Sequence, residues 1–340
     1  MHFIQGSVNW GIIGCGDVCE VKSGPAFGKV PGSSLAAVMR RDAEKAKDYA
    51  SRHKVPKFYT DATQLINDPD VNAIYVATPP GSHEAYAIQS LKAGKPVYIE
   101  KPVALNGEEC QRMIAASNTY KTPATVAHYR RELTLFRRVK SLIDQQAIGN
   151  VRLVLLHLFQ SPKPNTQADA ANNWRVNPAL SGGGLLYDLA PHQLDILYWI
   201  FGAPQATIGH SINQGKNYNV PDVTALTAVF KDNILLQALW TFNAPAQARQ
   251  DTCKIIGENG TLEFSFFTSF TNSKLEIQRD GATAQEEFFF PEHIQQPMIE
   301  EVVKYFQGKR KNPCSLDEAL VTMNMMEQTS PEKIILDKKC

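Results

Sequence analysis

Val8-Asn9-Trp10-Gly11-Ile12-Ile13-Gly14-Cys15-Gly16, near the amino terminus, is an apolar strand that runs directly into a glycine turn. A strand that ends in G-x-G is typical of dinucleotide-binding sites, because Gly14 permits the tight turn and Gly16 lets the backbone approach a pyrophosphate. Cys19 stands where a third small residue is expected. The pattern also fits an ordinary strand-to-helix turn. The predicted cofactor-binding residues of this turn are Gly14, Gly16, Asp17 and Val18.

The segments that follow alternate short strands with helices up to about residue 125. Further strands are predicted at residues 35–39, 71–77, 97–99 and 125–127. Short strands separated by helices are typical of a doubly wound parallel sheet. We therefore predict an α/β protein whose residues 1–125 form an NAD(P)-binding Rossmann domain.

The order of the predicted elements changes after about residue 150, from alternating strands and helices to successive strands. Strands are predicted at residues 151–159, 223–230, 234–242, 253–256 and 261–266. Lys231-Asp232-Asn233 and Glu258-Asn259-Gly260 separate neighbouring strands as hairpin turns. We predict a second α/β domain over residues 126–340, with a large, mostly antiparallel open sheet for substrate binding and oligomerisation. One face of that sheet needs cover, which favours a homodimer or homotetramer formed through it.

The end of the second strand, Val38-Met39-Arg40-Arg41-Asp42, bears on the choice of cofactor. An acidic residue there binds the ribose of NAD, whereas an arginine suits the 2′-phosphate of NADP. Arg40 and Arg41 therefore favour NADP over NAD. Asp42 is the counter-argument, although it also fits the N-cap of the next helix.

Glu100-Lys101-Pro102 follows the apolar strand 97–99 directly. Its position predicts that Lys101 lies at the carboxyl edge of the sheet, where α/β proteins bind ligands. The alternative is a surface salt bridge between Glu100 and Lys101.

Gly182-Gly183-Gly184 leads into a second polar pair, Asp188 and His192. Residues four apart lie on one face of a helix. Histidine changes charge near neutral pH, as a general acid or base must. The pair also fits a buried structural contact, or zinc binding, but no third ligand of suitable spacing is visible and no metal is predicted. Lys101, Asp188 and His192 are the predicted catalytic residues.

Together these motifs resemble the Gfo/Idh/MocA family of nicotinamide-dependent sugar and cyclitol oxidoreductases. The resemblance implies that Lys101 hydrogen-bonds the reacting oxygen of the substrate and that its peptide with Pro102 is cis in many relatives. It implies that the nicotinamide side of the cofactor contacts Thr78, Pro79, His83, Glu100 and Lys101. It implies a substrate bordered by Lys101, Tyr129, Arg130, Trp174, Arg175, Asp188 and His192. His83 also fits a helix-cap histidine without ligand contact, and Trp174 either stacks on a sugar or belongs to the core.

Composition narrows the possible partners. Net charge is +1, and no basic stretch is long enough to indicate nucleic-acid binding. Arg130-Arg131 and Arg137-Arg138 fit a solvated helix face better than a phosphate-binding stripe. The six cysteines form neither a zinc spacing nor a disulfide framework, which favours reduced thiols. Neither a signal peptide nor an apolar run of about 20 residues is evident, so we predict a cytoplasmic protein with no membrane partner.

These observations predict an NAD(P)-dependent oxidoreductase that acts on a small-molecule sugar, cyclitol or related polyol or carbonyl. Two alternatives stay open from the sequence. One is a non-catalytic sensor that only binds the dinucleotide. The other is a glycosidase that uses NAD transiently, which would return every hydride to the sugar.

Overall fold

The computed structural model describes residues 1–162, 173–269 and 271–330, which form two compact units. The first unit combines residues 1–132 with residues 291–320. The second combines residues 133–290 with residues 321–330. The first unit is therefore built from two separate segments of the chain. The sequence analysis instead predicted a single boundary at residue 125, with residues 126–340 in one domain.

The first unit contains a six-stranded sheet in the order β3-β2-β1-β4-β5-β6, and every neighbouring pair is parallel. Its strands are β1 Val8–Ile13, β2 Ser33–Met39, β3 Lys57–Tyr59, β4 Ala73–Val76, β5 Val97–Ile99 and β6 Ala124–Val126. The predicted Rossmann-type sheet is confirmed. β1 and β5 have the predicted bounds, and β3 was not predicted.

Helices separate these strands. They are α1 Asp17–Val21, α2 Gly24–Phe27, α3 Ala43–Arg52, α4 Ala62–Asn67, α5 His83–Lys92 and α6 Gly107–Tyr120. α1 ends after five residues, and α2 begins with Pro25 in its first turn. A proline cannot continue a helix because it lacks the backbone N–H and its ring clashes with the preceding turn.

The returning segment, residues 291–320, completes the core of the first unit. It carries the helix Gln296–Phe306, which is α10 in chain order. The fully buried Trp10 ring lies 4.7 Å from the Phe27 ring and 5.5 Å from the Phe306 ring, centroid to centroid. Burying one phenylalanine side chain stabilises a fold by roughly 1.5–3 kcal/mol. The parallel sheet is thus covered partly by residues that are distant in sequence.

The second unit contains an eight-stranded sheet in the order β14-β13-β12-β11-β7-β10-β9-β8. Its strands are β7 Val151–Phe159, β8 Ala206–Ile212, β9 Val223–Val229, β10 Leu235–Thr241, β11 Gln250–Gly257, β12 Gly260–Phe264, β13 Asn272–Arg279 and β14 Ala282–Phe289. Only β7 and β10 pair in parallel, so the predicted, mostly antiparallel sheet is confirmed. β8, β13 and β14 were not predicted.

One face of this sheet is buried and the other is open. The side chains of Val154, Leu156 and Leu158 on β7 lie in the core. The helices of the second unit are α7 Thr134–Asp144, α8 Pro178–Ser181 and α9 Leu185–Phe201, and α11 Leu316–Glu327 crosses the boundary between the units. A hydrogen bond of 2.7 Å from Trp240 Nε1 to Gln193 Oε1 fixes α9 to the buried face of β10. Within the described residues, every helix is too short or too polar to cross a membrane.

The prediction of a solvated face is wrong for Arg130 and Arg131. Both lie in the 3₁₀ turn Tyr129–Glu132, and each is only 2% exposed. Arg131 Nη1 donates to the Pro313 carbonyl at 3.1 Å and to Glu318 Oε1 at 2.9 Å. A buried guanidinium needs such partners. They come from the returning segment, so the local charge pattern did not reveal them.

Candidate active site

The predicted dinucleotide turn leaves room for a ligand at Gly16. Gly14 has φ +89°, and a Cβ there would lie 2.6 Å from Thr78 Cγ2, so only glycine fits. A Cβ at Gly16 would meet nothing closer than 3.9 Å. Gly16 is also the N-cap of α1 and provides no side-chain cap. The open space and the first-turn N–H groups of Asp17 and Val18 therefore fit a pyrophosphate.

Arg40 lies beside this turn. Its Nη1 donates to the Cys15 carbonyl at 3.3 Å. Asp42 caps α3 by accepting a hydrogen bond from Lys45 N at 3.1 Å, which confirms its predicted capping role. Arg41 is exposed. Two guanidinium groups thus follow β2, and the carboxylate of Asp42, the next residue, caps α3.

Lys101 follows β5 and is supported by a buried carboxylate. Glu100 is 5% exposed, and its Oε1 accepts from Tyr75 OH at 2.5 Å and from Gln295 Nε2 at 2.7 Å. Its Oε2 accepts from Lys101 N at 3.1 Å. Burial raises the pKa of Tyr75 well above its ordinary value, so the phenol stays protonated as a donor. Glu100 therefore faces inward rather than forming a surface salt bridge, and the Lys101–Pro102 peptide is cis.

His83 joins the loops that follow β4 and β5. Its ring is fully buried, with Nε2 2.6 Å from the Thr78 carbonyl and Nδ1 3.0 Å from the Pro102 carbonyl. Burial lowers the pKa of this imidazole, against the opposing effects of the backbone carbonyls and Glu100. His83 thus supports the loops from within, while Thr78 and Pro79 are partly exposed.

Asp188 and His192 lie one turn apart on α9, as predicted. The helix starts immediately after Gly184, which has φ +72°. A Cβ at Gly184 would lie 2.5 Å from Val220 Cγ2, so the close packing of the helix start depends on glycine. Asp188 and His192 belong to the second unit, and Lys101 belongs to the first.

Trp174 and Arg175 form a connected group with Asp188. The Arg175 guanidinium lies 4.6 Å from the centroid of the Trp174 ring, a cation–π contact. Arg175 Nε donates to Asp188 Oδ2 at 3.2 Å. Trp174 is half-buried rather than part of the core. The arginine thus holds the Asp188 carboxylate beside a partly exposed aromatic ring.

Two residues near His192 were missed by the sequence analysis. His192 is largely buried, and its ring meets the Phe267 ring edge-on at 5.9 Å. Asp251 Oδ1 accepts from Phe266 N at 3.1 Å, and its Oδ2 accepts from Phe267 N at 2.5 Å. Asp251 therefore fixes the loop that brings Phe267 to the imidazole. A lone aspartate in a strand gives no signal of this role.

Tyr129 and Arg130 lie inside the first unit. Both are buried, and the Arg130 guanidinium lies 5.5 Å from the centroid of the Tyr129 ring. Their predicted place beside the substrate stays a prediction.

Comparison with known proteins identifies the family. A model described as an oxidoreductase family with an NAD-binding Rossmann fold matches residues 8–128, and a Gfo/Idh/MocA C-terminal domain matches residues 136–263.

"Oxidoreductase P35" from Formosa agariphila is 41% identical over 324 residues, which covers 95% of this chain and 98% of that protein. A 1,5-anhydro-D-fructose reductase from Ensifer adhaerens is 28% identical over 211 residues, 61% of each chain. The crystal structure of an aldose-aldose oxidoreductase from Caulobacter crescentus, complexed with glycerol, superposes with a TM-score of 0.84 at 22% identity and covers 94% of this chain and 96% of that one. The chain therefore belongs to the Gfo/Idh/MocA family of oxidoreductases.

Proposed function

We propose that this oxidoreductase transfers hydride between a nicotinamide cofactor and a CH–OH or carbonyl carbon of a sugar, a cyclitol or a related polyol. The observation that carries the proposal is the Lys101 strand end, whose backbone is anchored by the buried Glu100. Asp188 and His192, one helical turn apart, add a carboxylate and an imidazole. The relatives named for sugar substrates support the substrate class.

Each of the three side chains has a distinct role in the proposed reaction. When bound, the nicotinamide would accept or supply the hydride. The Lys101 ammonium holds the substrate oxygen and stabilises negative charge that develops on it. His192 takes the hydroxyl proton in the oxidative direction and returns it in reduction. Asp188, held by Arg175, orients the imidazole or a neighbouring hydroxyl of the substrate.

A panel of sugars, cyclitols and polyols, assayed with NADP and with NAD, tests this function. We expect at least one substrate to give net formation or consumption of the reduced nicotinamide. A sensor would bind the dinucleotide without turnover on any substrate. A glycosidase would release free sugar with no net change in reduced cofactor. Either of the last two results would contradict the proposal.

We propose that NADP is the preferred cofactor. Arg40 lies within hydrogen-bond distance of the Cys15 carbonyl in the dinucleotide turn, and Arg41 beside it is exposed. A guanidinium binds a phosphate through paired hydrogen bonds. Asp42 supports the same choice because its carboxylate caps α3.

Replacing Arg40 with aspartate is expected to weaken NADP binding about 10- to 150-fold, because a desolvated arginine–phosphate pair contributes on the order of 1.5–3 kcal/mol. The affinity for NAD should stay constant or rise, since the new carboxylate can accept from the ribose hydroxyl. Fluorescence titration with both reduced cofactors measures the change. Lys47→Ala, which changes an exposed cation on α3, serves as the control. Equal affinity of the parent protein for NADPH and NADH would contradict the proposed preference for NADP.

We propose that the open face of the second sheet joins copies of this chain in a dimer or tetramer. Leu155 and Leu239 lie in the middle of this face and are half-buried. Ile208 and Phe289, on its two edge strands, are 73% and 71% exposed. A face of this size with an apolar centre is seldom left in water.

Leu239→Glu should shift the protein to monomers, because a carboxylate would be buried without a partner at the centre of the interface. Light scattering at micromolar concentration measures the mass. Gln64→Glu adds the same charge on exposed α4 and should leave the mass unchanged. A parent that is already monomeric at this concentration would refute the interface.

We infer that the protein works in the cytoplasm. The five cysteines within the described residues are buried and carry thiols rather than disulfides. Reduced thiols are typical of a reducing compartment. Fractionation of the source cells measures the location.

A further inference from the structure

The first residues of the returning segment hold the end of α1. His293 is buried, with Nε2 2.6 Å from Lys29 Nζ and Nδ1 2.6 Å from the Val21 carbonyl. An ammonium group only donates, so Nε2 accepts and Nδ1 carries the proton that is donated to Val21. The helix that follows the dinucleotide turn is therefore fastened by a residue 272 positions away.

Gln295 makes a second contact with the same helix end and a contact with the Lys101 strand. Its backbone N–H donates to the Lys22 carbonyl at 3.1 Å. Its side-chain Nε2 donates to Glu100 Oε1 at 2.7 Å, and its Oε1 lies 3.4 Å from Tyr98 OH. The residue has no exposed surface. One residue thus bonds to both segments through separate groups.

Glu100 connects the Gln295 side chain to the backbone of Lys101. One carboxylate oxygen accepts from Gln295 and Tyr75, and the other accepts from the backbone N–H of Lys101. A buried carboxylate depends on its donors, because removing one leaves its charge less well satisfied away from bulk solvent. Loss of the Gln295 amide should therefore move Glu100, and with it the backbone of Lys101.

We propose that Gln295 is a positioning residue whose side chain holds Glu100, and through Glu100 the backbone of Lys101, while its own backbone N–H joins the same segment to the end of α1. The inference rests on the proposed function, since it assumes that Lys101 acts on the substrate. A neutral amide suits this position because it donates to the carboxylate without adding a charge to the buried network. Hydrophobic substitution would preserve the packing but remove the donor.

Two substitutions at Gln295 test the inference, and a Gln→Glu change at the neighbouring Gln296 serves as the control. Gln295→Glu sets a carboxylate against Glu100 and Gln295→Leu removes the donor, so each should lower kcat about 10- to 100-fold, as small misplacements of a reacting group do. Affinity for the reduced cofactor should change less than kcat, because both variants keep the backbone N–H that bonds to the Lys22 carbonyl. Gln296→Glu, at the half-buried first residue of α10, should match the parent in both measurements.

A double variant in which the residues at positions 100 and 295 are exchanged separates a positioning role from a merely structural one. Glu100→Gln combined with Gln295→Glu restores an amide facing a carboxylate and should recover part of the kcat that either single variant loses. The Gln295→Glu variant should also regain activity as pH falls, because a protonated carboxyl donates again to its neighbour. An exchanged pair no better than the single variants would overturn the inference.

Hydrogen exchange separates a failure of this inference from a failure of the proposed function. In Gln295→Leu and Gln295→Glu, the amide of Lys101 should exchange faster than in the parent and in Gln296→Glu, because its acceptor Glu100 has lost the Gln295 donor. The amides of residues 17–24 should exchange as in the parent, because the backbone bond from Gln295 to Lys22 is retained. This readout needs no substrate, so it decides the inference even if no compound is turned over. Parental exchange at Lys101 in both variants would overturn it.

Discussion

Replacing Lys101 with alanine is expected to lower kcat by at least the 10²- to 10⁴-fold that a positioned acid or base typically contributes. In the proposed mechanism, the substitution removes the ammonium that holds the substrate oxygen. Arg175, another cation of the predicted site, is bonded to Asp188 and so does not replace it. Stabilisation of a developing oxyanion in a dry site is worth a few kcal/mol, which corresponds to roughly 10²–10³ in rate. Steady-state kinetics on the substrate found by the panel measures the loss.

Lys95 provides a matched control for Lys101. It precedes β5 at the opposite end of the strand, and its Nζ donates to the Asp68 carbonyl at 2.7 Å. Lys95→Met should therefore lower thermal stability but leave kcat close to the parental value. Near-parental turnover of Lys101→Ala would show that this strand end is not where the chemistry occurs.

His192→Ala is expected to lower kcat about 10²- to 10⁴-fold, because the reaction loses its general acid and base. Cofactor affinity should stay nearly unchanged, since the imidazole belongs to the second unit and the dinucleotide turn belongs to the first. Kinetics and cofactor titration on one preparation separate these two effects. His210→Ala, an exposed histidine on β8 of the same unit, is the control. A His192→Ala enzyme that loses cofactor affinity but keeps kcat would contradict the assigned role.

The strands that the sequence predicted best are mainly apolar runs with clear ends. β1 ends at the glycine turn, β5 ends at Glu100-Lys101-Pro102, and β7 is a nine-residue, mainly apolar segment; all three have the predicted bounds. β8 and β14 were missed because they lie at the sheet edges and bury few side chains, so alternation of apolar residues is weak. β13 does alternate buried residues with charged ones, but only two of its eight residues, Leu275 and Ile277, are apolar.

The candidate site likewise has features that the sequence predicts and features that only the structure shows. The strand-end position of Lys101 and the one-turn spacing of Asp188 and His192 follow from local geometry, and the structure has both. The partner of Glu100 is 195 positions away in the chain. Hydrophobic periodicity reports which face of an element is buried, but it does not report which distant polar group will meet a buried carboxylate. Gln295 and Phe267 therefore became visible only in the structure.

The discontinuous first unit has a consequence for how the protein is made. During synthesis, the strands up to residue 126 leave the ribosome long before Phe306, which packs on Trp10, has been added to the chain. At about 5–20 residues per second, the 158 residues between positions 132 and 291 take about 8 to 32 seconds to translate. For that interval the nascent dinucleotide domain exposes an apolar surface, which nascent-chain chaperones can bind. Residues 133–290 are made during this wait, but the second unit also needs residues 321–330, so neither unit is complete before the segment 291–330 has been added.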